Sequence, residues 1–196
     1  MAEFEPRARI NLEKAVVLLL DDKVEGINIL VQIVTAFGVR TLHRCHSVPD
    51  AKELASVTEL DLILANANLS SESGGEFISW LRRSKLEPNA FTPAILISGH
   101  TQISRVRQGR DCGANFVLAK PVSPAVMLER IIWIARERRP FVECTNYVGP
   151  DRRFHDLGPP SGAVGRRHDD PPDIVAPTNP DLASMKTKSE PERAAL

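Results

Sequence analysis

Residues 15–22 read AVVLLLDD, six apolar side chains without a polar interruption and then two aspartates. A strand with one face in water alternates apolar and polar residues. An unbroken run of this length is instead the pattern of a strand covered on both faces, as in a parallel sheet. Ending that strand on Asp21 and Asp22 delivers charge to the carboxyl edge of the sheet, where open α/β sheets place their ligand sites.

The chain on the far side repeats the same rhythm. Residues 27–37 (INILVQIVTAF) carry apolar side chains at 27, 29, 30, 31, 33, 34 and 37, a helical recurrence, and Gly38 is a natural stop. Residues 41–45 form a second strand. Ser47 can cap a helix reaching residue 56, with Pro49 in its first turn. Residues 60–65 (LDLILA) make a third strand, followed by a loop of small residues over 66–75. A helix over 76–83 sets Phe77, Ile78, Trp80 and Leu81 on its apolar side.

Residues 94–98 (AILIS) are the fourth strand, and a helix over 102–112 ends at Gly113. Residues 116–119 are the fifth strand, stopped by Lys120-Pro121. Ser123 opens the last helix, which runs to about residue 138 with Val126, Ile131, Trp133 and Ile134 inward. Parallel strands need crossover helices, so five such units predict an α/β fold: a doubly wound, five-stranded parallel sheet of order 2-1-3-4-5.

Composition divides the 196 residues into an N-terminal extension (1–13), this domain (14–138) and a tail (139–196) that holds nine of the fifteen prolines. Too little apolar surface is available in the tail to offset its ordering entropy, so it is expected to be largely disordered. Within it, "YVGPDRRFHD" and "GRRHDDPPD" share an Arg-Arg pair followed by His-Asp, and the first half has enough apolar character to dock on a surface. The tail carries eight basic and nine acidic residues, and the whole chain has formal net charge zero. Neither supports a nucleic-acid partner. No apolar run approaches the ~20 residues that cross a bilayer, and residues 1–11 lack a signal-peptide core, so no membrane association is expected. Cys45, Cys112 and Cys144 are odd in number and scattered, which fits a reducing cytoplasm better than a disulfide framework or zinc site. The five histidines show no metal-ligand spacing.

The predicted topology brings four strand ends together: Asp21 and Asp22, Asn66, Ser98, and Lys120. With "LLLDD", "DLILANANL", "PAILISG" and "GANFVLAKPVSP" standing at those ends, and intervals of 66 − 22 = 44, 98 − 66 = 32 and 120 − 98 = 22, residues 14–138 resemble the receiver domain of two-component response regulators, the CheY-like family. The combination is specific; a lone Lys-Pro or Asp-Asp would not be. The resemblance implies a bacterial cytoplasmic signalling protein. By position, Asp21 and Asp22 correspond to the metal-binding acidic pair, with Asn68 supplying a carbonyl. Ser98 corresponds to the switch hydroxyl and Lys120 to the phosphate-facing cation.

Two departures fall on the mechanism that the resemblance implies. The phosphoacceptor position is Asn66, an amide that cannot form an acyl phosphate, and Asp61 stands at the wrong end of its strand to replace it. Such receivers usually carry an aromatic side chain three residues before the lysine, where this chain has Val117, with Phe116 expected on the opposite face. A β-branched valine cannot make the aromatic swing. Lys120 is accordingly expected to pair with Asp21 or Asp22 inside the protein, and Asn66 to bond Ser98 or Lys120.

The chain therefore reads as a stand-alone pseudo-receiver: a non-enzymatic interaction module of two-component or phosphorelay signalling. It requires no cofactor, and only weak or vestigial Mg²⁺ binding is expected. Its partners would be a histidine kinase, a phosphotransferase or a downstream target. They would bind through the face formed by the fourth helix, fifth strand and fifth helix, which receivers also use to form homodimers. Two alternatives stand beside this reading. One is a phosphorylatable regulator with a non-standard acceptor. The other is an enzyme on the same flavodoxin-like scaffold, although no base–nucleophile pair is visible and "DDKVEG" follows strand one in place of a glycine-rich phosphate loop.

Overall fold

The computed structural model describes residues 11–99, 111–137 and 139–151. Its first strand, β1 (Val16–Leu20), has two apolar faces and lies inside a sheet, between two neighbouring strands. β2 (Thr41–Cys45), β3 (Leu62–Asn66), β4 (Ala94–Ser98) and β5 (Phe116–Ala119) complete a parallel sheet in the order β2-β1-β3-β4-β5, as predicted.

The alternation of each strand divides the core in two. Val17, Leu19, Leu64, Ile97 and Leu118 face one layer, packed on Leu30 and Val34 of α1 (Val24–Ala36) and on Met127 and Ile131 of α4 (Pro124–Arg136). Leu18, Leu20, Ile63, Ala65 and Leu96 face the other, covered by Val48 and Ala51 of α2 (Val48–Val57) and by Phe77, Ile78 and Leu81 of α3 (Gly74–Arg83). The helix expected over residues 102–112 falls almost wholly outside the described residues, so α4 is the last helix of the predicted series.

Local chemistry explains the helix starts. Ser47 Oγ accepts the Asp50 N–H at 3.2 Å, with a proline in the first turn of α2. α3 starts two residues earlier than its periodicity implied. Ser73 and Glu76 form a reciprocal capping box there, which closes the orphan N–H groups of the first turn. Gly38, at φ +95°, ends the turn after α1. One expectation fails in α4: Val126 is 39% exposed, while Met127, Ile131 and Ile132 are buried. The helix register is set by Met127 and Ile131, four residues apart, and this turns Val126 about 100° away from the core.

The start of the tail is ordered. The chain from residue 139 does not begin as disorder: β6 (Phe141–Cys144) and β7 (Tyr147–Pro150) pair antiparallel around the two-residue turn Thr145-Asn146. Asp151 N–H closes the base on Pro140 C=O at 2.8 Å. Phe141 and Tyr147 are buried, and Phe141 meets Phe91 edge-to-face at 5.0 Å, in the 3₁₀ turn Asn89–Phe91 that precedes β4. This short segment takes apolar partners from the domain, the docking that its composition allowed. The remaining tail, including both Arg-Arg motifs, lies outside the described residues.

The three cysteines are free. Burial pushes the Cys45 thiol up to about 11, an inert core group. Asn89, before β4, closes the connection between α2 and β3. Its Oδ1 accepts the Leu60 N–H at 2.9 Å, and its Nδ2 donates to Ala55 O at 2.8 Å and Thr58 O at 2.6 Å.

Candidate functional site

Parallel pairing carries the four predicted strand ends to one edge of the sheet. Asn66 lies beside Ile97, one residue before Ser98, and Lys120 N–H donates to Ser98 C=O at 2.7 Å. Asp21 extends β1 by one bond, from its N–H to Cys45 C=O at 3.2 Å. Asp21, Asn66 and Ser98 are all buried, whereas Asn68 is exposed.

Asp21 is the most enclosed charge of the group, at 1% exposure. Its Oδ1 accepts the Lys23 N–H at 3.0 Å, and its Oδ2 lies 3.3 Å from Lys120 Nζ. The internal ion pair expected from the sequence is therefore present, formed with Asp21 rather than Asp22. Asp22 turns to the loop after β3. Its Oδ2 accepts the Ser70 N–H at 2.8 Å and the Ser70 hydroxyl. Those donors, the hydroxyl foremost, hold the Asp22 carboxyl below the usual carboxylate value against the opposing pull of partial burial. Asp22 Oδ1 is buried and accepts no hydrogen bond among the described residues.

Asn66 Oδ1 accepts the Asn68 N–H at 3.3 Å, an Asx-type turn that folds the start of the loop back on the strand end. Val117 is half-buried against the α2/α3 layer, and Phe116 packs in the other layer, so the two occupy opposite faces as the strand period requires. Asp61 lies at the opposite end of β3, where its Oδ2 accepts the Val16 N–H at 2.8 Å.

Several residues that shape the pocket were not legible beforehand. Gly26 sits on α1 against Asp21: a Cβ there would stand 2.3 Å from Asp21 Oδ2. At Gly74, the first residue of α3, it would stand 2.3 Å from Asn66 C=O, so a side chain is excluded there. Ser70 is one of three serines in that loop, and nothing in its local pattern marks it over Ser71 or Ser73.

A sequence model of the response regulator receiver domain matches residues 17–132. The chain belongs to this family. Solved receivers share the fold. One is a CheY-like response regulator receiver domain protein from Methanospirillum hungatei JF-1, at 21% identity and TM-score 0.53 over 60% of this chain and 90% of that one. Chemotaxis protein CheY4 of Vibrio cholerae gives 22% and 0.56 over 61% and 98%. The signal receiver domain of a signal transduction histidine kinase from Syntrophus aciditrophicus gives 20% and 0.55 over 63% and 94%. No curated protein gives a match.

Receivers of this family imply a divalent cation at the acidic pair, and the donor set here suits one poorly. A hard dication wants several anionic oxygens. Asp21 offers both of its oxygens to Lys23 and Lys120, and Asp22 gives one to Ser70. The third position is the neutral amide of Asn66. Asp22 Oδ1 is the one carboxylate oxygen of the pair without a donor among the described residues, and no three His, Cys, Asp or Glu side chains come together there as a metal-holding group. No helix among the described residues is long and apolar enough to cross a membrane.

Proposed function

We propose that this receiver is a pseudo-receiver, a protein-interaction module of bacterial two-component or phosphorelay signalling that takes no phosphoryl group. It acts by binding rather than catalysis, needs no cofactor and holds Mg²⁺ weakly. The observation that carries this reading is the buried amide of Asn66 at the end of β3. Its oxygen is turned to the Asn68 N–H, beside a lysine already paired with Asp21. An amide nitrogen or oxygen there is not a nucleophile toward phosphorus, and one fewer carboxylate weakens any cation site.

The output surface of this reading is the face of the predicted fourth helix, fifth strand and fifth helix, of which β5 and the last helix, α4, lie among the described residues. Phe116 and Trp133 meet edge-to-face at 5.0 Å, with Arg130 over the Phe116 ring at 5.3 Å and Arg139 over Trp133 at 5.6 Å. Aromatic and arginine side chains of this kind supply much of the energy of protein interfaces. A histidine kinase, phosphotransferase or downstream target would bind there, as would a second copy in a homodimer.

Labelled acetyl phosphate tests the reading. The wild type should incorporate no label, and an Asn66→Asp variant should regain it in the presence of Mg²⁺. Label on the wild type at any residue would overturn the reading in favour of a non-standard acceptor.

A further inference from the structure

The family pattern ends at residue 132, yet the chain continues into a hairpin with its own buried aromatics. What the hairpin covers is unusual. Arg82, near the end of α3, is 4% exposed and faces no carboxylate among the hydrogen bonds it makes: Nε donates to Gly113 C=O at 3.1 Å, one terminal nitrogen to Ala90 C=O at 2.8 Å, and the other to Asn115 Oδ1 at 3.5 Å. The Phe141 ring of the hairpin closes over the guanidinium at 5.2 Å. Burial lowers the Arg82 pKa to about 10, so the group remains a cation at neutral pH.

Two glycines make the approach possible. A Cβ at Gly113, where φ is +89°, would stand 2.6 Å from Val148 C=O and 2.9 Å from Arg82 Cγ. A Cβ at Gly149 would stand 2.7 Å from Gly113 Cα and 2.8 Å from Tyr147 Oη. Backbone thus lies on backbone, with no room for a side chain on either partner. The Tyr147 hydroxyl, buried beside this contact, donates to Pro150 C=O at 2.6 Å.

We propose that the β6–β7 hairpin is a built-in clamp that holds residues 113–115, the entrance to β5, in one arrangement, so that the folded unit of this chain extends past the family pattern. The grip has two parts: Phe141 confines Arg82, which in turn holds Gly113 and Asn115, and Gly149 rests directly on Gly113. Asn115 passes the constraint on to the sheet, because its Oδ1 also accepts the Ala94 N–H at 2.9 Å and its own N–H donates to Ala94 C=O at 2.8 Å. The clamp acts at the opposite end of β5 from Lys120. It therefore fixes the strand without reference to what occupies the acidic pocket, and it stands whether or not Asn66 is a phosphoacceptor.

The test is hydrogen exchange by NMR on the full chain, comparing the wild type with Phe141→Ala and with Gly149→Ala. The Arg82 Nε–H and the Asn115 amide, which donates to Ala94 C=O, are the reporters, and the Val17, Leu18 and Leu19 amides are the internal reference. The clamp predicts that both reporters exchange at least about tenfold faster in each variant while the reference amides stay protected. Should Gly149→Ala unfold the chain, with the reference amides lost as well, the Phe141→Ala variant alone decides the outcome. Reporters that stay as protected in both variants as in the wild type would overturn it. So would an Arg82 Nε–H that exchanges freely in the wild type.

Discussion

Lys120 Nζ lies 3.3 Å from Oδ2 of Asp21, and only the aspartate is fully enclosed: its side chain is 1% exposed against 37% for the lysine. A carboxylate removed from water needs a partner, and here the partner is the residue that, in the family's layout, faces the phosphoryl group. The half-open lysine loses little hydration in the exchange, which makes the pair cheaper to form than one buried on both sides.

Removing the lysine leaves Asp21 with the Lys23 N–H as its remaining donor of those described. Lys120→Ala should therefore destabilise the domain by about 1–2 kcal/mol, less than the ~3–5 typical of breaking a fully buried pair. Adding Asp21→Asn should recover most of that loss. Urea unfolding of the single and double variants checks it; a double variant weaker than the sum of the singles would contradict the pairing.

Gly26 offers a test with an inverted sign. Alanine is the better helix former by about 1 kcal/mol, yet a Cβ at this position would stand 2.3 Å from the buried carboxylate. Gly26→Ala should lower stability by about 1–3 kcal/mol, as overpacking does. A gain in melting temperature would show that Asp21 is free to move away.

Ser70 governs the titration of Asp22. The Asp22 carboxyl titrates below its ordinary 3.8 because the Ser70 hydroxyl and N–H bond the charged form. A depressed folded pKa contributes stability above the unfolded value, and that stability is lost as pH falls through the folded one. Ser70→Ala should move the Asp22 titration upward, read from its side-chain carbonyl shift, and should leave less stability to lose below pH ~4. An unchanged midpoint would place the depression elsewhere.

Asn89→Leu should cost about 2–4 kcal/mol in urea unfolding, since it leaves the Leu60 N–H and the carbonyls of Ala55 and Thr58 without their partner. A loss below ~0.5 kcal/mol would mean that water replaces the amide readily.

Continuous apolar runs such as residues 16–20 and 94–98 were legible because a strand buried on both faces leaves no other composition open to it. The strand-end site followed from the same pattern, since topology alone brings Asp21, Asn66, Ser98 and Lys120 to one edge. Contacts set by how the elements pack were not legible. Ser70 reaching Asp22, Gly26 against Asp21, and Asn89 across α2 and β3 each depend on packing that no local pattern encodes. Asn66 was expected to bond Ser98 or Lys120, and its oxygen instead takes the Asn68 N–H, a local turn that competes for it at shorter range. The strand pairing of the hairpin stayed hidden because Phe141 is stabilised by Arg82 and Phe91 rather than by neighbours in the tail.

The most direct test of the account is a beryllofluoride titration in Mg²⁺, followed by amide NMR on the wild type and on Asn66→Asp. Beryllofluoride stands in for a phosphoryl group on a carboxylate, so the wild type should show no shifts at Ser98 or Lys120, while the variant should shift at both. Saturable shifts at those two residues in the wild type would contradict the claim that this receiver signals without phosphorylation.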